Sequence, residues 1–325
     1  MNVASRCSCS YLLCRSIQGE VDLTDIITLS TPDVCELGDD PGDTYARLEG
    51  LISATPPAAR FWRRGDPMPP PDPVSLPLPI RNGRTFQAAA GSEAVSFDVH
   101  GFALLRHPTA FRHWRADPRS FGAVYHAEID ALLRDRLFPG RRVEIDHFLT
   151  PVFRGGPDDP IYAHEVHQDY GLGADAFAAN LKAVDPTEAL RWQTRYAQDD
   201  VTGCIVISCW RTIGMQGPLR YKPLALCDPL TVRMDDVFAD TATPGSHGSY
   251  CIQLRHNDAQ RWYSYPNMRA DEMIAFKLFD CRKDDPGSSR LRSVFHAAFD
   301  DPAMPADAER RTSCEDRLVV MLLRD

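Results

Sequence analysis

The sequence predicts a mainly β protein with flanking helices, arranged as a double-stranded β-helix, or jelly roll. Apolar runs of strand length recur along the second half of the chain, and Pro, Gly and Asp residues separate them. Short strands joined by such turns are typical of sandwiches and jelly rolls. One segment N-terminal to these runs has its apolar residues at helical spacing instead. We therefore expect a single jelly-roll domain over residues 1–325.

The first part of the chain, residues 1–93, is expected to be an irregular, proline-rich wrap around this domain. Its segment 66–79, DPMPPPDPVSLPLP, is too rich in proline for a helix and must be extended. The stretch ARLEGLISA, residues 46–54, is a short helix candidate. Residues 94–107 predict two short strands on either side of Gly101.

Residues 120–140 have apolar side chains at helical spacing, and Pro139-Gly140 ends that helix. The almost wholly apolar run 202–213 predicts a central strand. The other predicted strands are 141–153, 223–228, 249–256, 261–266, 273–281, 293–299 and 316–323.

The composition excludes several classes of protein. A net charge of −9 argues against a nucleic-acid-binding surface, because phosphate contacts need basic patches. No apolar run approaches the length of a membrane span. The ten cysteines are scattered without any Cys-x-x-Cys pair, which favours a reduced cytoplasmic protein. The oligomeric state is left open, with a homodimer among the alternatives.

The stretch HEVHQDY, residues 164–170, concentrates groups that bind metals. It is not a zinc-protease helix, because that motif requires two histidines four positions apart, and here they are His164 and His167. On a strand, His167 and Asp169 face the same side and can converge on one ion. His164 is a competing ligand, although alternation places it on the opposite face.

A third ligand is expected from His296 in the strand-like segment SVFHAAF, 296 − 169 = 127 residues after Asp169. In a jelly roll, ligands from distant strands meet at one mouth. Two imidazoles and one carboxylate on one side of a six-coordinate ion form the arrangement of non-haem Fe(II) oxygenases. Five further histidines are expected to make ordinary polar contacts: His100, His107, His126, His147 and His256.

The usual co-substrate of such oxygenases, 2-oxoglutarate, carries a distal carboxylate that a planar guanidinium with a neighbouring hydroxyl can bind. Arg311 lies 311 − 296 = 15 residues after His296, and Ser313 follows it two positions later. This resembles the Arg-x-Ser motif that binds 2-oxoglutarate in many of these enzymes.

From about Phe97 to Leu318 the chain resembles a family of oxygenases from secondary metabolism. The family includes the fungal gibberellin desaturase, the asperfuranone-type hydroxylase/desaturases and the small component of the cephalosporin methoxylase. The matching segments occur in the family's order: FDVHGFALLRHP, YHAEIDALL, RRVEIDH, VHQDY, CWRTI, PLALCD, WYSYPNMRADEMIAFKLFD, FHAAFDDP and RTSCEDR.

The resemblance implies a cofactor set and a substrate class. Fe(II) and 2-oxoglutarate would be the cofactors, and the substrate would be a hydrophobic natural-product intermediate that is hydroxylated or desaturated. The implied site residues are His167, Asp169 and His296 for iron, Arg311 and Ser313 for the distal carboxylate of 2-oxoglutarate, and Arg211 as a further cation of the pocket.

Some residues depart from the family's pattern and support a second hypothesis. Thr212 stands where the family has proline after Trp-Arg, and Phe295 and Ala297 replace the family's Pro and Thr around His296. His147 is followed by Phe148 rather than by threonine. In the second hypothesis the same cavity works without redox chemistry. It dehydrates an alcohol to a quinone methide and guides a hetero-Diels–Alder cycloaddition, as in tropolone sesquiterpenoid biosynthesis.

Overall fold

The computed structural model describes residues 40–52, 73–114, 121–155, 162–239, 252–285 and 290–325. All of these residues belong to one compact unit, Val34–Asp325. The part of the predicted single domain that precedes residue 40 lies outside the described residues, so a single domain over the whole chain stays a prediction.

The described residues form two sheets that face each other. The smaller sheet has five strands in the order β1-β2-β10-β7-β12, and β10 is parallel to β2. The larger sheet has six antiparallel strands in the order β3-β11-β6-β13-β4, with β5 also paired to β13. The strands of the smaller sheet are β1 Thr44–Ile52, β2 Pro73–Asn82, β7 Leu224–Cys227, β10 Trp262–Ser264 and β12 His296–Ala298. Those of the larger sheet are β3 Phe102–Arg106, β4 Val143–Asp146, β5 Val152–Arg154, β6 Val201–Thr212, β11 Glu272–Arg282 and β13 Ser313–Leu323.

A short antiparallel pair and several helices complete the described fold. The pair consists of β8 Val237–Ala239 and β9 Ile252–Leu254. None of the described helices is long and apolar enough to cross a membrane. The α-helices are α1 Gly83–Ala90, α2 Glu93–Val95, α3 Ala127–Arg136, α4 Ala174–Val184 and α5 Pro186–Tyr196, and π-helical turns span Ser96–His100 and Phe121–His126.

The larger sheet buries both of its faces, because side chains along a strand alternate between its two sides. On β6, Val206 and Trp210 belong to the core that also contains residues of the smaller sheet. Ile207 and Cys209 belong instead to a core formed with α3 and the preceding π-helical turn. We call these the inner face and the outer face of the larger sheet. A strand buried on both sides explains why the segment 202–213 is almost wholly apolar.

The N-terminal part differs from the predictions. Residues 46–54 are not helical, because β1 covers Thr44–Ile52 and pairs with β2. Ala46 and Leu48 are buried while Arg47 is exposed, so burial alternates every two residues, as in a strand, rather than every 3.6 residues, as in a helix. The irregular wrap predicted for residues 1–93 is therefore wrong over Thr44–Ile52 and Pro73–Ala90, which form two strands and a helix. The rest of residues 1–72, apart from 40–43, lies outside the described residues.

Two further predictions need correction. The first of the two strands expected around Gly101 is helical, since Ser92 caps α2 and the chain continues as a π-helical turn to His100. Gly101, with a φ of 82°, ends this segment and leads into β3.

The helices α4 and α5 were not predicted, although Asp185 caps α5 and Pro186 occupies its first turn. The helix expected over 120–140 and the central strand over 202–213 are confirmed.

Candidate metal centre

The histidines His167 and His296 lie side by side because their backbones pair. The amide of His296 donates to the carbonyl of His167 over 2.9 Å, and the reverse hydrogen bond measures 3.2 Å. The ring centroids are 4.3 Å apart. Asp169, two residues beyond His167, is on the same side, and one ligand atom from each of the three residues lies within 4.8 Å of the others. The structure thus brings the three predicted side chains together.

Both imidazoles are oriented by the chain itself. The Nδ1 of His167 is 2.7 Å from the carbonyl oxygen of Glu165, and the Nδ1 of His296 is 3.2 Å from that of Val294. A carbonyl oxygen only accepts, so each Nδ1 carries the proton and donates it. This leaves the lone pair of each Nε2 available, which is the tautomer that a metal-binding histidine requires.

The charges of the cluster suit a cation. Burial, reinforced by the neighbouring His167, lowers the pKa of His296 to about 4, so this imidazole is neutral near pH 7. Burial acts to raise the pKa of Asp169, but the charge of Arg317, together with weaker contributions from other neighbours, outweighs it and the pKa is lowered. The buried Oδ2 of Asp169 has no hydrogen-bond partner among the described residues. The cluster therefore offers two imidazole nitrogens and one carboxylate.

A small cavity connects the histidine pair with Arg311. It is lined by Arg154, Ala163, His167, Trp210, Leu224, Phe276, His296, Arg311, Glu315 and Arg317. Its volume is about 20 Å³. That is room for about one water molecule. A ligand larger than water enters only if lining side chains move.

Arg311 is 1% exposed and reaches this cavity between two aromatic rings. Its guanidinium carbon lies 4.4 Å from the ring centre of Tyr162 and 5.4 Å from that of Trp210, and its Nη1 donates to the carbonyl of Lys222 over 2.5 Å. Ser313 pairs with Thr212 across the strands and lies on the same face of β13 as Glu315. The position of Arg311 beside the histidines is the one expected from the sequence.

Arg211 is not part of this cavity, and its prediction as a pocket cation needs correction. On β6 it follows Trp210, so its side chain is on the outer face. There its guanidinium is 3.0 Å from Nδ1 of His107, donates to the carbonyl of Ala270 and lies 5.3 Å from the ring centre of Trp114. The Trp-Arg pair places only one of its two side chains toward the histidines.

His164 is outside the metal-ligand cluster as well. Its ring contacts Tyr162 at 6.4 Å between centroids. The structure therefore agrees with the expectation from strand alternation that His164 and His167 point to opposite faces.

Sequence reasoning assigned no role to two charged residues of the cavity, Glu315 and Arg317. They form a two-point ion pair, with nitrogen–oxygen distances of 2.9 and 3.2 Å, and Arg317 is also 3.8 Å from Asp169. The alternation of β13 from Ser313 onward could have revealed them, because residues 313, 315 and 317 share one face.

Comparisons with known proteins agree with this arrangement. The family model described as Oxidoreductase/YMDC permease-like domain matches residues 78–321. The chain belongs to this family. Hydroxylase/desaturase CTB9 of Cercospora beticola is 23% identical over 249 residues, which cover 69% of this chain and 71% of that protein. Aspirochlorine biosynthesis protein N of Aspergillus oryzae is 25% identical over 150 residues, or 44% of this chain, and the match spans only 60% of that protein. The predicted resemblance to hydroxylase/desaturases of secondary metabolism is confirmed.

The fold is shared with a solved enzyme. The iron and alpha-ketoglutarate-dependent endoperoxidase NvfI superposes with a TM-score of 0.59 at 20% identity. The superposition covers 87% of this chain and 98% of that one. This similarity confirms the predicted fold class.

Proposed function

We propose that this protein is an Fe(II)/2-oxoglutarate-dependent oxygenase of secondary metabolism. The observation that carries the proposal is the convergence of His167, Asp169 and His296 at one end of a buried cavity whose lining also includes Arg311. The family membership and the iron-dependent relative of the same fold support it.

The donor set fits Fe(II). Two neutral imidazoles and one carboxylate are the ligands of non-haem iron oxygenases, and they leave coordination positions open. Asp169 has a buried oxygen without a hydrogen-bond partner among the described residues, which a cation would satisfy. The Nδ1–H groups of both histidines are already held by backbone carbonyls.

When bound, iron would supply the redox chemistry that couples O₂ and 2-oxoglutarate to the oxidation of a substrate C–H bond. The chain provides the surroundings of that reaction. The two histidines and Asp169 would hold the ion, and Arg311 and Ser313 would bind the distal carboxylate of the co-substrate. Trp210 and Phe276 line the cavity beside the histidines, and their apolar rings would strengthen the charge interactions inside.

The size of the cavity sets a condition on this proposal. At about 20 Å³, it must open before a five-carbon diacid can enter. The ion pair between Glu315 and Arg317 fills the space next to Asp169. We expect the negative charge of the co-substrate to attract Arg317 away from Glu315, which would widen the site.

The test is turnover of 2-oxoglutarate to succinate by metal-free protein to which Fe(II) is returned. The wild type should form succinate only with Fe(II), 2-oxoglutarate and air together, and His296→Ala should form none. His164→Ala is the matched control, because this histidine lies near the cluster without belonging to it. Succinate formation by His296→Ala at the wild-type rate would overturn the proposal.

The second hypothesis, dehydration and cycloaddition without an oxidant, is favoured by one specific observation. Glu315 is a buried residue that lines the cavity; burial acts to raise its pKa, but the charge and hydrogen bonds of Arg317 outweigh this and lower the pKa, so the carboxylate is ionised and can accept a proton. Full conversion of a pathway extract by the protein, under anaerobic conditions with excess chelator, would establish this hypothesis in place of the oxygenase. Loss of conversion that only Fe(II), 2-oxoglutarate and air restore would exclude it.

The remaining features of the proposal rest on the sequence and on relatives. The proposed substrate is a hydrophobic natural-product intermediate, which rests on the resemblance to enzymes of secondary metabolism; Trp210, Leu224 and Phe276 are the larger apolar residues of the cavity wall. Cytoplasmic localisation stays a prediction, and the oligomeric state stays open, with a homodimer among the alternatives. An assay of extracts from the producing organism, followed by mass spectrometry, would identify the substrate as the compound that gains or loses mass only in the complete reaction.

A further inference from the structure

A second cluster of two histidines and one aspartate lies on the outer face of the larger sheet. His126 ends the π-helical turn Phe121–His126, His147 directly follows β4, and Asp316 belongs to β13. One ligand atom of each lies within 4.8 Å of the others. Asp316 is adjacent in sequence to Glu315, which faces the proposed iron site, so the two clusters lie on opposite sides of the same strand.

The polar atoms of this cluster face each other without forming hydrogen bonds. The Nε2 of His126 is 3.5 Å from Oδ1 of Asp316, and the Nδ1 of His147 is 3.7 Å from Oδ2. Hydrogen bonds of this type measure roughly 2.7–3.2 Å. All four atoms are buried and have no hydrogen-bond partner among the described residues. The side chain of Asp316 is 0% exposed, so an unsatisfied carboxylate here is costly.

The same distances suit donors of one metal ion. Two donors that each lie about 2.0–2.1 Å from a tetrahedral Zn(II) are roughly 3.3–3.4 Å apart. A cation between these side chains would satisfy all three of them at once.

His147 also has the outer partner that metal-binding histidines commonly have. Its second nitrogen, Nε2, is 2.6 Å from Oδ1 of Asp130 on α3. A carboxylate in this position fixes the ring and makes the opposite nitrogen a better donor. Because Nε2 is the nitrogen that donates its proton to Asp130, Nδ1 is the one free to bind an ion beside Asp316.

We propose that His126, His147 and Asp316 form a second metal site, which binds a divalent first-row transition ion, with Zn(II) as its ordinary occupant. Imidazole and carboxylate donors suit Zn(II) and related ions. The site would tie the helical layer to β13, because its ligands come from the π-helical turn, from the end of β4 and from β13.

Binding requires a change in the imidazole pair. The rings of His126 and His147 stack at 3.8 Å between centroids with 16° between their planes, so their nitrogen lone pairs do not yet point to one spot. His126 has a side chain that is 19% exposed and can turn, whereas His147 is held by Asp130. We expect the ion to enter on the side of His126.

The experiment counts metal equivalents in chelator-treated full-length protein by titration with Zn(II). The variant His167→Ala/His296→Ala removes the first site and should bind one equivalent. Adding His126→Gln and His147→Gln should reduce binding to none. Co(II) in place of Zn(II) should give a visible absorption band in the double variant that is absent in the quadruple variant.

Two results would overturn this proposal. One is a double variant that binds no Zn(II), which would mean that the cluster is only a buried polar contact. The other is a quadruple variant that still binds one equivalent, which would place the ion elsewhere. If circular dichroism shows that the quadruple variant does not fold, the triple variant His126→Gln/His167→Ala/His296→Ala replaces it. A dissociation constant for Zn(II) equal to that of the double variant would then contradict the proposal.

The outcome is separable from that of the proposed function. Zn(II) binding by the double variant is measured in the absence of the first site, so failure of the oxygenase proposal leaves this measurement unaffected. Conversely, His126→Gln by itself should leave succinate formation at the wild-type rate.

Discussion

Two clusters of the same three residue types lie on opposite sides of the larger sheet, and they differ in geometry. On the inner face, the rings of His167 and His296 are inclined at 52°, and a backbone carbonyl anchors each Nδ1. On the outer face, the rings of His126 and His147 stack within 16° of parallel, and an aspartate anchors one of them. The difference shows that composition alone does not define a metal site. The groups that orient each imidazole ring decide which of its nitrogens can bind a metal ion and whether the rings must turn before binding.

The electrostatic surroundings of the two clusters differ as well. Burial and the neighbouring His167 lower the pKa of His296 to about 4. Burial also acts to lower the pKa of His147, but Asp316 and Asp130 outweigh it and the pKa is raised. The inner cluster therefore contains a neutral imidazole, while the outer cluster attracts positive charge, whether that charge is a proton or a metal ion.

The largest expected effect comes from removing an inner ligand. His167→Ala should reduce succinate formation to the uncatalysed background, because the ion loses one of three protein donors. The matched change on the outer face, His126→Gln, should leave the rate unchanged. Equal losses in both variants would mean that the two faces do not have separate roles.

The next effect concerns the two buried arginines, which lie on opposite faces. Arg311→Ala should weaken 2-oxoglutarate binding by about 30-fold or more, because truncating a buried charged contact costs roughly 2–5 kcal/mol. Arg211→Gln is the control and should leave the affinity for 2-oxoglutarate unchanged while lowering the melting temperature. Calorimetric titration with 2-oxoglutarate, without O₂, measures both. An unchanged affinity in Arg311→Ala would remove this residue from the binding site.

A third prediction concerns acid stability of the outer face. Burial, followed by the charge of Arg211, lowers the pKa of His107 to about 4 from 6.5. Between these values the unfolded chain binds a proton that the folded protein does not, so stability is retained above pH 6.5 and falls as the pH decreases toward 4. His107 should account for roughly 1.5 kcal/mol of stability lost between pH 6.5 and 5. Urea unfolding at both pH values should show a smaller loss in His107→Gln, and an equal loss would contradict the assignment.

The last prediction concerns the outer partner of the second site. Asp130→Asn removes the carboxylate that holds His147 and should weaken Zn(II) binding about 10–100-fold in the His167→Ala/His296→Ala background. Glu128→Gln, on the same helix, is the control for loss of a nearby negative charge. The same affinity in both variants would show that Asp130 acts only through its charge.

Much of the fold could be predicted from local patterns. The strands β6, β11 and β13 were recognisable because long apolar runs are buried on both sides of a sheet. The segment Thr44–Ile52 was not recognisable as a strand. It has only nine residues, and the spacing of its apolar residues fits a period of two and a helical period almost equally well. Only the pairing of β1 with β2 selects between them.

By itself, the sequence determined which three residues are proposed as metal donors on the inner side. His167 and Asp169 share a face because a strand has a period of two, and the segment around His296 was recognisably strand-like. The tertiary structure alone decided which side of a strand faces which core. The orientation of β6 places the side chain of Trp210 at the cavity and that of Arg211 on the opposite face, although the two residues are adjacent in sequence. It also brings His126, His147 and Asp316 together from three separate segments, because the outer cluster exists only where a helical layer packs on the sheet.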